Sequence, residues 1–156
     1  MIRLVAFEGP FPFYGELQTQ PADAYEQIKK GRYAMLDASL ASQYEVSSGD
    51  SLRIGNVVFK VAGEVNKLPG GGGILTTFTP SVYISMSELD STGLIQYGSR
   101  VTYKKFFKTT TDSEADDLVE KFRPLIRKYG YSYETVEGRK EGLGEGFSAI
   151  YRFFSL

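Results

Sequence analysis

Few side chains in this sequence can carry out covalent chemistry. The chain has 156 residues and contains no His, no Cys and no Trp. Without imidazole or thiol groups, Ser-His-Asp and Cys-His nucleophilic catalysis, thiolate zinc sites and thiol redox chemistry are excluded. Chemistry is therefore left to the Asp, Glu, Lys, Tyr and Ser side chains.

Two groups of carboxylates are candidates for such a site. Asp37 and Asp50 would suit glycoside hydrolysis at a separation of about 5–10 Å, but a helix cap and a turn explain them individually. The second group lies where a helix should begin, where acidic residues complement the helix dipole, and it lacks the Asp-x-Asp-x-Asp-Gly spacing of a calcium loop. Its members are Asp112, Glu114, Asp116 and Asp117. We predict no catalytic residue and no metal site.

A run of four glycines is a candidate phosphate-binding loop. A P-loop needs Gly-Lys-Ser/Thr leading into a helix, whereas the strand-forming Ile74-Leu75-Thr76-Thr77 follows here. We therefore predict a mobile loop over 66–73 and no bound cofactor.

Two aromatic segments could contact a partner. The turn Phe11-Pro12-Phe13-Tyr14 is our best candidate for exposed apolar contact, and packing of its rings inside the fold is the alternative. Together with the glycine loop it gives the predicted partner-contact residues Phe11, Phe13, Tyr14, Gly70, Gly71, Gly72 and Gly73.

The second segment combines lysines with phenylalanines. It consists of Lys104, Lys105, Phe106, Phe107 and Lys108, and we call it the basic–aromatic strip. It could form a binding surface, but a strand with one solvated face is the commoner cause of such a pattern. The 18 basic and 19 acidic residues give a formal charge of -1, so we expect no nucleic-acid binding.

Local patterns predict a succession of strands and helices. The expected strands cover 2–8, 33–36, 81–85, 100–108 and 131–137, and β-branched runs on both sides of Gly55-Asn56 predict a hairpin. The expected helices cover 21–30, beginning at Pro21, and 38–44, capped by Asp37.

Two more helices are expected in the last third of the chain. The capping-box sequence Thr111-Asp112-Ser113-Glu114 starts a long amphipathic helix that ends at Gly130, and Pro124 should kink it or end its regular part near residue 123. A terminal helix over 143–156 carries an apolar stripe, although no apolar stretch in the chain is long enough to cross a bilayer.

An ordered set of segments then carries a family resemblance. The chain resembles the extracytoplasmic domain of ABC-transporter permeases of the FtsX/MacB type, and is most similar to the longer YbbP-like permeases. The segments are Arg3-Leu4-Val5-Ala6-Phe7-Glu8-Gly9, Phe11-Pro12-Phe13-Tyr14-Gly15, Ser48-Gly49-Asp50-Ser51-Leu52-Arg53-Ile54-Gly55, Phe59-Lys60-Val61-Ala62-Gly63, Pro80-Ser81-Val82-Tyr83-Ile84, the turn 89–94 and Tyr97-Gly98-Ser99-Arg100-Val101.

The resemblance implies an α+β fold of MacB-like periplasmic type. Residues 2–9 and 99–156 would form a split α/β lobe, and 10–98 a smaller β-rich lobe inserted in it. Family members carry a further strand and helix before the position of Ile2, which this chain lacks. The apolar residues 143–156 would lead toward a membrane helix outside the chain.

The resemblance also implies a function. We expect a non-catalytic, extracytoplasmic or periplasmic domain that couples membrane-helix movement to a substrate or an envelope partner. The expected partners are a cytoplasmic ATP-binding subunit, not contacted by this domain, and an envelope protein or lipophilic substrate. Two alternatives stay open: a stand-alone extracellular binding module for a peptide, lipid or glycan, and a carboxylate glycosidase.

Overall fold

The structure, a computed structural model, describes residues 2–10, 16–67 and 79–138. The chain divides into two compact units, Met1–Tyr103 and Lys104–Leu156. The first unit is built on a β-sheet, and the described part of the second contains one long helix.

A mixed sheet forms the first unit. In the described residues its strands are β1 (Arg3–Phe7), β2 (Gln18–Gln20), β3 (Tyr33–Asp37), β4 (Ser51–Ile54), β5 (Val57–Lys67) and β6 (Ser81–Ser85). The strand order is β1-β6-β3-β5-β2, and β4 also pairs with β5. The β1–β6 and β3–β5 pairs are parallel, whereas β5 pairs antiparallel with β2 and β4, and β3 with β6.

Apolar side chains are buried on both faces of this sheet. Successive side chains of a strand point to opposite faces, so in β3 Ala34 and Leu36 join one core cluster while Met35 joins the other. Helix α1 (Ala24–Ile28) packs on the second cluster, and α2 (Ala38–Gln43) on the first. Two helices on opposite faces thus enclose the central strands.

The predicted hairpin is confirmed. Ile54 of β4 pairs with Val57 of β5, and the turn between them is Gly55-Asn56, with Gly55 at φ 57°. Glycine adopts such a left-handed conformation without a Cβ clash. The N–H of Asn56 donates to the carbonyl of buried Thr92 over 2.9 Å, which holds the turn against the 3₁₀ turns Met86–Glu88 and Asp90–Thr92.

The predicted strands at 2–8, 33–36 and 81–85 are confirmed as β1, β3 and β6. The helix expected over 21–30 is shorter and covers Ala24–Ile28, because Pro21 lies in the preceding turn, where its carbonyl accepts the Ala24 N–H over 3.1 Å. Strand β5 runs to Lys67, so residues 66 and 67 of the expected loop are strand, and 68–73 lie outside the described residues.

The capping box at the start of α3 (Asp112–Tyr129) is confirmed. The Thr111 hydroxyl oxygen accepts the Glu114 N–H over 3.2 Å, while the Glu114 carboxylate accepts the Thr110 N–H over 2.7 Å. The hydrogen bond from the Thr110 N–H is the main cause that holds the pKa of the Glu114 carboxyl below its ordinary value. Gly130 ends the helix in a left-handed conformation, as predicted.

Two expected strands in the second half of the chain are wrong, and the long helix does not end at its proline. Helix α3 continues past Pro124 to Tyr129, because a proline removes only one hydrogen bond and the other turns persist; a kink at Pro124 stays a prediction. Residues 101–109 and 131–135 form no strand, and 136–138 are helical. Both segments have strand-like sequences but pair with no strand in the described residues, and β-structure requires a partner for its backbone groups.

The overall architecture is mixed α/β, with a mixed sheet and several helices, and is compatible with the predicted α+β class. Within the sheet, β1 pairs with β6, so residue 3 lies beside residue 81. The predicted division into a lobe of 2–9 with 99–156 and an inserted lobe of 10–98 stays a prediction. The expected terminal helix over 143–156 lies outside the described residues.

Candidate functional site

The residues predicted to contact a partner are not described by the structure. Phe11, Phe13 and Tyr14, and the glycines Gly70, Gly71, Gly72 and Gly73, lie outside the described residues, so their role stays a prediction. The described residues offer two other features for examination: a polar cluster at the end of β3 and the basic–aromatic strip.

The polar cluster joins β1, β3 and β6. One carboxylate oxygen of Asp37 accepts the Tyr83 hydroxyl over 2.8 Å, and the other accepts the Ser81 N–H over 2.5 Å. The Ser81 hydroxyl oxygen accepts Nε of Arg3 over 3.1 Å and donates to the Thr79 carbonyl. The sequence position of Asp37 predicts that its side chain caps α2, and this prediction is wrong. Both of its carboxylate oxygens accept hydrogen bonds from β6 instead.

This cluster stabilises the sheet and leaves no carboxylate oxygen of Asp37 without a partner. Burial raises the pKa of the Tyr83 hydroxyl above its ordinary range, and its hydrogen bond to Asp37 adds to the effect. The neutral Tyr83 hydroxyl donates a hydrogen bond to Asp37, whereas a negatively charged phenolate would be repelled by the Asp37 carboxylate. The group is a structural donor at neutral pH.

The raised pKa of Tyr83 predicts a loss of stability at high pH. The neutral phenol contributes fully to stability below the unfolded-state pKa of about 10, and the contribution is lost as pH rises toward the folded-state value. Above about pH 10 the free energy of unfolding of the wild type should fall more steeply with pH than that of Tyr83→Phe. The difference between the two slopes should be up to about 1.4 kcal/mol per pH unit.

Urea unfolding at several pH values, followed by circular dichroism, measures both slopes. The two proteins share every other titrating group, so their difference isolates Tyr83. Parallel slopes for the wild type and Tyr83→Phe would contradict a protonated, carboxylate-bound Tyr83.

The other candidate carboxylates also have structural partners. Asp50 accepts the Ser47 N–H over 2.8 Å, which confirms its predicted turn role. Glu114 belongs to the capping box. In residues 2–10, 16–67 and 79–138 no group of three or more Asp or Glu side chains is placed to hold a metal ion. Within the same ranges, every buried side-chain nitrogen or oxygen has a hydrogen-bond partner.

The residues of the basic–aromatic strip are exposed. All five of its residues lie in the irregular segment before α3, and the exposed fractions of Phe106 and Phe107 are 65% and 52%. The strand with one solvated face, the alternative explanation of this pattern, is wrong for this segment because no strand forms. Both phenylalanine rings therefore leave more than half of their surface exposed to water.

Two pairs of aromatic rings are in contact within the second unit. The Phe107 ring lies 5.7 Å from the Phe122 ring on α3, and the rings of Tyr129 and Tyr131 stack at 5.6 Å. Nζ of Lys105 lies 5.8 Å from the centre of the Phe107 ring. Sequence reasoning missed Tyr131 and Tyr133 as exposed residues, because their alternation with polar residues indicated a strand with one covered face.

The chain was compared with known proteins. It is 29% identical over 159 aligned residues to the uncharacterized ABC transporter permease YbbP of Escherichia coli (strain K12). The chain is similar to an ABC transporter permease. The alignment covers 100% of this chain but 19% of that permease, so the chain spans about a fifth of its relative's length.

Two other comparisons gave no match: no family model and no solved structure matches the chain. The similarity to the permease supports an ABC permease-related domain. In the described part of the chain, no helix is both long enough and apolar enough to cross a membrane.

Proposed function

We propose that this chain is an extracytoplasmic domain of an ABC-transporter permease of the FtsX/MacB type. The observation that carries the proposal is the similarity to the permease YbbP along the whole length of the chain. The domain itself does no chemistry, and it couples movement of membrane helices to contact with a substrate or an envelope partner.

The described structure supports a mechanical role in two ways. The sheet of the first unit has an apolar core on both faces, so a displacement at one edge is transmitted through close-packed side chains. The candidate carboxylates also have structural roles. Asp37, Asp50 and Glu114 each accept a hydrogen bond from a backbone N–H. A rigid body with an exposed contact surface is what such coupling requires.

The proposed role assigns partners to the full-length protein. ATP would be hydrolysed by a separate cytoplasmic ATP-binding subunit, which this domain does not touch. An envelope protein or a lipophilic substrate would meet the domain on the periplasmic side, and the aromatic turn with Phe11, Phe13 and Tyr14 is the proposed contact within the inserted lobe.

Cysteine labelling in intact cells tests the proposed location. The chain contains no cysteine, so Tyr97→Cys in the full-length gene, with any cysteine outside these 156 residues replaced by serine, gives one thiol at a residue whose side chain is fully exposed. We expect a membrane-impermeant maleimide to label this thiol in intact spheroplasts as completely as in lysed ones.

A matched variant controls for access within the domain. Ala34→Cys places the thiol in the core, where the exposed fraction is 0%, and should be labelled only after denaturation. Labelling of Tyr97→Cys that requires lysis would place the domain in the cytoplasm and overturn the proposed function.

A stand-alone extracellular binding module is the second candidate, favoured by the exposed aromatic rings of the second unit. Alkaline washing of membranes separates the two candidates. A permease domain stays in the membrane pellet with its flanking helices, whereas a stand-alone module is released into the supernatant.

A further inference from the structure

The exposed basic–aromatic strip has a composition that neither the fold nor the proposed coupling role explains. No acidic residue lies between Asp90 and Asp112, whereas four basic residues do. The rest of the chain then has 14 basic against 19 acidic residues. Residues 91–111 therefore carry a net charge of +4 in a chain whose other residues are net acidic, and a segment with charge of one sign favours a negatively charged partner.

The exposed phenylalanine rings require a partner that also has an apolar region. Phe106 has no polar atom in its side chain, so its ring gains free energy only by leaving water. Each ring lies next to a lysine in sequence, and Lys105 reaches over the ring of Phe107. The partner must accept ammonium groups and apolar rings that lie side by side.

We infer that the strip binds the headgroup region of a bilayer containing anionic lipids. Lysines and phenylalanines together are typical of segments that lie in a membrane interface, where the lysine stem bends so that its ammonium group meets phosphates while neighbouring rings enter the acyl boundary. Lysine is depleted from protein–protein interfaces, which favours lipid over an acidic protein.

The irregular backbone of the strip fits this location. The headgroup region contains water, so the backbone N–H and C=O groups of residues 104–108 stay hydrogen-bonded there without a helix or a sheet, which the hydrocarbon core would not permit. The ring contact between Phe107 and Phe122 joins the strip to α3.

Vesicle flotation with the chain of 156 residues tests the inference. The wild type should float with phosphatidylcholine vesicles that contain phosphatidylglycerol and remain unbound with phosphatidylcholine alone. A variant with Lys104→Gln and Lys105→Gln should bind about 25-fold more weakly, since each lysine near an anionic surface contributes about a factor of five. Phe106→Ser should weaken binding about tenfold.

Matched variants in the first unit serve as controls. Lys30→Gln with Lys67→Gln removes two exposed lysines, and Tyr44→Ser removes an exposed ring, so both should change binding less than about twofold. Circular dichroism checks that each variant is folded. Three results would overturn the inference. They are equal losses of binding in the control and strip variants, equal binding with and without phosphatidylglycerol, and no flotation of the wild type.

The inference goes beyond the proposed function and draws on it only for the nearness of a bilayer. The two tests can fail separately. Cysteine labelling reports the side of the membrane on which the domain lies, and its result does not depend on Lys104 or Phe106. Flotation reports lipid binding by the strip, and its result does not depend on the side of the membrane.

Discussion

Replacing Phe59 by alanine should lower the free energy of unfolding by about 4 kcal/mol. Phe59 lies in β5 with an exposed fraction of 0%, within the core cluster that β3, β4, β6 and α2 build on one face of the sheet. Truncation removes a whole ring from this close-packed cluster and leaves a cavity, and both effects reduce stability.

The neighbouring residue of the same strand provides the control. Val58 points to the other face and is 49% exposed, so Val58→Ala should cost less than about 1 kcal/mol. Phe59→Leu keeps most of the apolar volume and should cost about 1 kcal/mol, which keeps the comparison measurable if the alanine variant does not fold. Urea unfolding followed by circular dichroism gives all three values, and equal costs for Phe59→Ala and Val58→Ala would contradict the core placement.

A methyl group added at Gly63 should cost about 3 kcal/mol. Gly63 lies in β5, opposite Met35 of β3, at the point where the β3–β5 register shifts. A Cβ at this position would overlap the carbonyl oxygen of Gln20 and lie 2.8 Å from Cδ of Pro21. The obstructing atoms belong to the backbone and to a proline ring, so Gly63→Ala must displace β2 from β5.

Gly98 is a suitable control because no atom lies within 4 Å of its hypothetical Cβ. Gly98→Ala adds the same methyl group in open space, and its cost of about 1 kcal/mol comes from the left-handed backbone at φ +88° alone. Thermal unfolding of both variants tests the difference. A Gly63→Ala protein as stable as Gly98→Ala would show that β2 and β5 do not approach as closely as the structure indicates.

Together these expectations link the fold to the proposed role. A domain that transmits movement must resist deformation, and the first unit is tightly packed at Phe59 and Gly63. The strip in the second unit is the opposite case, since its side chains are exposed and can be replaced without loss of a core. Stability and surface binding can therefore be varied independently in this chain.

The features that the sequence predicted correctly depend on neighbours in sequence. The hairpin at Gly55-Asn56 follows from two tolerant turn residues between β-branched runs, and the cap of α3 follows from Thr111 and Glu114, three residues apart. The absence of His and Cys excludes imidazole and thiol chemistry on composition alone. All of these are local or compositional properties.

The incorrect predictions concern partners that are distant in sequence. Asp37 precedes a helix and has the residue type of a cap, but Ser81 and Tyr83, 44 and 46 residues further on, occupy its carboxylate. Residues 101–109 have β-forming side chains, yet the described residues supply no strand to pair with them.

Composition and local pattern thus determined which chemistry is impossible and where short elements begin and end, because those depend on side-chain type and nearby backbone geometry. Only the tertiary structure decided that β1 lies beside β6, with Arg3 and Ser81 separated by 78 residues, and that the basic–aromatic strip is left in water. Pairing and exposure depend on which distant segments meet, and a local pattern carries no information about that.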